Sequence, residues 1–110
     1  GHLITESTGN DPFMGSAKFV VDAKATPFIR INMKVSAGDW AQLFFTTDID
    51  KSYDEAKSLR FKIQGDGEFH TYVLRMTKVD GWQSVITQLR LDPVETPATI
   101  EIDYIRMEGP

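Results

Sequence analysis

The chain has no cysteine, no long apolar run and no excess of positive charge. The first absence removes a disulfide framework and any thiolate metal site. It leaves the compartment open, because many secreted domains also lack cysteine. No stretch approaches the length of a membrane-spanning helix, and the N-terminus carries no signal-peptide pattern. The formal net charge is −4, with acidic and basic residues interspersed, which speaks against a nucleic-acid partner. Histidine is scarce too. The opening Gly1-His2 reads as an appended leader, so only His70 remains as a catalytic imidazole. It follows Glu68 and Phe69 beside a tight turn, where a turn-supporting role fits better than that of a base. The nucleophile elbow, the zinc-protease helix, the phosphate loop and the dinucleotide fingerprint are all missing.

What the chain does have is alternation. In "FIRINMKV", Ile29, Ile31, Met33 and Val35 alternate with Arg30, Asn32 and Lys34, the pattern of a half-buried strand. "AQLFFTT" follows the turn "SAGD", so residues 28–47 are expected to form a hairpin. "SLRFKIQ" and "FHTYVLRM" flank "GDG" at 65–67, the clearest tight-turn signal in the chain. "SVITQLRLD" and "TIEIDYIRM" are separated by a loop with Pro93 and Pro97, and "HLITES" and "AKFVVDA" complete the set. This predicts an all-β fold, a β-sandwich of about eight antiparallel strands. At 110 residues it is one domain, large enough to bury a core without staples. A helical turn fits only residues 50–58, which lack an apolar stripe. The start of "DIDKSYDE" has the spacing of a calcium loop, but Tyr53 and Leu59 stand where such a loop needs Gly and Glu, so an EF-hand is excluded.

Several pieces together resemble a carbohydrate-binding module of the galactose-binding-like jelly-roll type. They are "TGNDPF" at 8–13, "AQLFFTT" at 41–47, "FHTYVL" at 69–74, "GWQSVITQLRLDP" and "IEIDYIRM". Such modules are appended to secreted bacterial glycoside hydrolases and polysaccharide lyases. The resemblance therefore implies a non-catalytic module, 1–110, that binds a polysaccharide or oligosaccharide and tethers a parent catalytic domain to its substrate. It also implies an extracellular or cell-surface bacterial setting. Similar domains often begin some twenty residues earlier with an acidic strand containing Gly-Trp, so either the domain is shorter than those, or a first strand is missing or supplied by another chain. Many carry a structural calcium between an early acidic loop and the last strand, where Asp103 resembles a ligand. That early loop is not apparent here, so calcium stays open.

Sugars are held by aromatic rings stacked on the pyranose face and by planar polar groups that bond its hydroxyls. Trp40, at the turn-to-strand junction after "SAGD", is the first candidate platform, against the alternative that it closes the core. Trp82, in "GWQS", is the second, with packing as its alternative; Tyr53 reads as an anchor rather than a lid. With Leu89 and Leu91 inward, Gln88 and Arg90 face the other way. If their strands are neighbours, Asn32, Gln42, Gln88 and Arg90 form one polar patch that Arg75 could join. The bland counterpart is a solvated face with Arg90 paired to Asp92 or Glu101. Two other functions compete. One is a structural or protein-interaction sandwich with an apolar patch. The other is a small glycan-acting enzyme using the carboxylates of Glu101 and Asp103.

Overall fold

Alternation along each strand is realised as two antiparallel sheets packed face to face. The computed structural model describes residues 2–6, 14–94 and 97–110. Its strands are β1 (His2–Glu6), β2 (Met14–Gly15), β3 (Val21–Asp22), β4 (Phe28–Val35) and β5 (Trp40–Thr47), then β6 (Ser58–Lys62), β7 (Phe69–Arg75), β8 (Val85–Pro93) and β9 (Ile100–Glu108). One sheet has the order β1-β9-β4-β7, and is called the front sheet. The back sheet has the order β2-β8-β5-β6, with β3 also pairing with β8. The described residues contain no α-helix, only 3-10 turns at Glu55–Lys57 and Met76–Lys78. The fold is an all-β sandwich.

The inward positions supply the core. Ile29, Ile31, Met33 and Val35 of β4 and Ile100, Ile102, Ile105 and Met107 of β9 face Ala41, Leu43 and Phe45 of β5 and Ile86, Leu89 and Leu91 of β8. Each large side chain buried this way contributes roughly 1.5–3 kcal/mol. A one-residue bulge keeps β9 in phase. Asn32 pairs with Tyr104 and Met33 with Ile102, so Asp103 is the extra residue.

The expected hairpin over residues 28–47 does not form. β4 lies in the front sheet and β5 in the back, so the turn between them crosses the sandwich. "GDG" makes the same crossing from β6 to β7. The two crossing turns lock together: Gly65 N–H donates to the Gly38 carbonyl (3.0 Å), and Gly67 N–H to that of Val35 (3.0 Å). A Cβ at Gly65 would lie 2.3 Å from the backbone carbon of Ala37, so no larger residue fits this contact. Gly38, at φ 97°, and Gly67, at φ 77°, take left-handed conformations that favour glycine.

The connection 48–57 is an ordered strap. Thr47 Oγ1 accepts the N–H groups of Ile49 (3.2 Å) and Asp50 (3.0 Å), which ends β5 in a turn. Lys57 is buried and anchors the strap, its Nζ donating to the carbonyls of Asp50 (2.9 Å) and Ser52. Ser84 takes a positive φ of 59°. Its hydroxyl and the Val85 N–H both bond the Asp48 carboxylate, which ties strap to β8 and holds Asp48 below the usual carboxylate range.

Candidate functional site

The outer face of the back sheet carries a row along β5, Trp40, Gln42, Phe44 and Thr46, beside Asp92, Arg90 and Gln88 on β8. Gln42 pairs with Asp92, Phe44 with Arg90 and Thr46 with Gln88. From Trp40 to Thr46 the strand rises about 20 Å.

Trp40 is 42% exposed at the head of this row. It faces solvent because β5 begins at Trp40 with an outward position, so the ring lies on the face away from the core. Arg90 and Asp92 pair in bidentate fashion: Nε and Nη2 each reach a carboxylate oxygen at 2.9 Å. Tyr53 leans from the strap over this pair. Its ring centroid is 6.0 Å from the Arg90 guanidinium carbon, and its hydroxyl faces the Leu89 carbonyl at 3.5 Å. Burial raises the Tyr53 phenol above its ordinary value, so it remains a neutral donor.

Beyond Tyr53 the face opens into a cleft of about 380 Å³, lined by Lys18, Phe19, Val20, Thr46, Lys51, Thr87 and Gln88. That volume lies within the range of small-ligand clefts, about 300–1,000 Å³. The hydroxyls of Thr46 and Thr87 bond each other at 2.9 Å, and Gln88 Nε2 donates to the Ser16 carbonyl (3.0 Å). Among the described residues, the Gln88 side-chain oxygen and one threonine proton therefore remain without a further partner on the cleft floor. Neither Lys18 nor Lys51 stands out in the sequence. They lie 33 residues apart with no local motif, and only the fold brings them together.

The expected single patch is split. Gln88, Arg90 and Trp40 share the back face, but Asn32 and Arg75 belong to β4 and β7 and face outward from the front sheet, on the opposite side. Asn32 Nδ2 donates to Thr71 Oγ1 across that sheet (2.8 Å). Gln42 is on the expected face but offers no amide to a ligand. It is 5% exposed, and its Nε2 donates to Glu55 Oε2 (2.6 Å) and Ser58 Oγ (2.9 Å) beneath the strap. Trp82 is a core residue. It is 8% exposed and stands edge-on to Phe45 with centroids 4.9 Å apart; its indole N–H points to the carbonyls of Ala23 (3.1 Å) and Thr26 (3.3 Å). No ring face is left for a sugar to stack upon.

The front sheet's outer face is a mosaic. Val73 is 52% exposed and Phe69 44%, but Arg30, paired to Glu108 at 2.6 Å, lies across from Val73, and Lys34, 3.8 Å from Glu101, lies across from Phe69. The ion pairs break the apolar surface into separate residues. Glu101 and Asp103 do not converge as a catalytic pair, because Glu101 is engaged with Lys34 and Asp103 sits in the bulge of β9. Asp103 is exposed, and no group of three or more His, Asp or Glu side chains among the described residues could hold a metal ion. The early loop "TGNDPF", at 8–13, lies outside the described residues. His70, near the start of β7, supports the preceding turn, its Nε2 facing both carboxylate oxygens of Asp66 at 2.9 and 3.0 Å. A further cleft, about 430 Å³, lies at the end of the sandwich beside Trp82. There Asp22 caps the Lys24 N–H and the Ser84 hydroxyl donates to Asp48, so these two side chains serve the turns.

No family model matches the chain, and no curated protein matches it. Among solved structures, one described as "CBM4 structure and function" is similar, with a TM-score of 0.50 and 11% sequence identity, covering 96% of this chain and 77% of that one. At that identity the likeness concerns the fold, and it agrees with the two-sheet sandwich described above.

Proposed function

We propose that this domain is a non-catalytic carbohydrate-binding module of jelly-roll type, and that its back sheet binds the polysaccharide. The observation that carries the reading is the back face itself. An exposed indole stands at one end of a strand-long row, and a polar cleft with free acceptors stands about 20 Å away at the other. Trp40 would stack on a sugar ring. Arg90, oriented by Asp92 and Tyr53, would donate to hydroxyls midway, and Gln88, Thr46 and Thr87 would bond them in the cleft. The fold likeness to a carbohydrate-binding module supports the same conclusion. A site built from one stack and partly solvated hydrogen bonds binds weakly, on the order of micromolar to millimolar, so its use is to hold a joined enzyme near its substrate. A secreted or cell-surface setting and a parent catalytic domain in a longer chain belong to this proposal.

Native electrophoresis through gels containing a panel of soluble polysaccharides tests it. Retardation by one or a few polymers supports the reading, and retardation lost in Trp40→Ala assigns it to the back face. Unchanged mobility across a broad panel refutes it.

A further inference from the structure

We infer that the cleft over Thr46 and Gln88 selects polysaccharides bearing acidic groups, carboxylate or sulfate, which sit between Lys18 and Lys51. This deepens the glycan-binding reading and rests on it. The chain as a whole is acidic, with a net charge of −4, yet among the described residues this cleft is lined by two lysines and by no aspartate or glutamate. Neither lysine has an ion-pair partner among the described residues. The carboxylates of Asp50 on the strap and Asp92 on β8 are already engaged. Asp50 accepts from the Ser52 hydroxyl (2.7 Å) and lies 3.4 Å from Lys57; the Ser52 hydrogen bonds first, and Lys57 after them, hold it below the usual carboxylate range. Asp92 takes both nitrogens offered by Arg90.

The remaining lining fits a charged sugar better than an isolated anion. Phe19 is half-buried and Val20 is 78% exposed, giving an apolar wall for the carbon face of a ring. The Gln88 oxygen and the Thr46–Thr87 hydroxyl pair supply an acceptor and a donor for ring hydroxyls. Lysine is a compact point charge on a flexible stem, so it accepts carboxylate and sulfate alike, where a fixed guanidinium fork would impose geometry. The net negative charge of the chain opposes adventitious attraction to polyanions, so a response to an acidic polymer must come from a local positive site.

Calorimetric titration of the parent chain, Lys18→Gln and Lys51→Gln tests the inference with two matched pairs. One pair is polygalacturonate and its carboxyl-reduced form; the other is dextran sulfate and dextran. The expected result is binding to at least one acidic polymer in preference to its neutral counterpart. Each exposed lysine variant should weaken that binding by about fivefold without changing the melting temperature. The preference should also fade as salt rises from about 0.05 to 0.5 M, because the Debye length shrinks. Equal binding of a neutral counterpart, or lysine variants that match the parent, overturns the acidic selectivity while leaving the glycan reading in place. No response to these polymers or to any neutral polysaccharide of the wider panel overturns both.

Discussion

Trp40→Ala is the substitution on which the back-face reading turns, and its size can be worked out. A fully exposed tryptophan offers about 250 Å². At 42% exposure Trp40 presents about 100 Å² to a ligand. Covering all of it yields about 2.5 kcal/mol at 25 cal/mol per Å². That sets a ceiling of about 60-fold in affinity, and covering half of it still gives about eightfold. The cost to the fold is smaller than for a core position, below about 2 kcal/mol, out of a total near 5–15 kcal/mol. The variant therefore stays folded at 25 °C. The assay is titration of parent and variant with whichever polysaccharide retards the parent, alongside thermal melts of both. Loss of eightfold or more in affinity with a cooperative melt supports the stacking role. Unchanged affinity refutes the placement of the ligand on Trp40, and a variant that no longer melts cooperatively refutes its assignment as a surface residue.

Trp82→Ala should do the reverse, costing roughly 3–5 kcal/mol through a cavity beside Phe45, with the melting point falling by more than 10 °C on the usual scaling for about 100 residues. At a temperature where that variant is still folded, its polysaccharide affinity should equal the parent's. Gly65→Ala forces a Cβ into the Ala37 and Gly38 backbone and should destabilise by about 1–3 kcal/mol or more, read from a denaturant melt. Asp48, Asp50 and Asp66 are held below their ordinary value of 3.8, Asp48 first by the Ser84 hydroxyl, Asp50 first by that of Ser52 and Asp66 first by His70. Their folded-state values lie under the unfolded ones, so their support is complete above that range and is lost as pH falls through the lowered values. Melting temperature should be flat near neutrality and drop below about pH 4, less steeply in Asp48→Asn. A rise in melting temperature on adding calcium, reversed by chelator, would show that the domain binds the ion, and unchanged melting would show that it does not.

Period-two alternation located the long strands to within a residue or so, because one face of each is buried. "FIRINMKV" is β4 from end to end, and "ITQLRLDP" lies within β8. Partnership was not legible. A short glycine-bearing turn reads the same whether it closes a hairpin or carries the chain across a sandwich, and here 36–39 and 65–67 both cross. The segment 17–23 looked like a strand, yet only Val21–Asp22 pairs. For the site, alternation put Gln88, Arg90 and Gln42 on one face correctly. It could not show that the strap returns over Gln42 and uses up its amide. Trp40 and Trp82 both follow turn signals in sequence, and only the tertiary packing sets one in solvent and the other against Phe45. The cleft was invisible for a similar reason, since its two lysines come from segments flanking different strands.

The pairing of β1 with β9 sets how the domain answers a mechanical load. His2 lies opposite Met107, and Glu6 opposite Tyr104, so the chain enters and leaves at the same end of the front sheet. A pull applied through the two ends meets these hydrogen bonds one rung at a time, as a zipper does, instead of shearing the ladder at once. Such a domain yields at low force from its first strand inward, while the back sheet, which contains neither strand, lies off the line of tension.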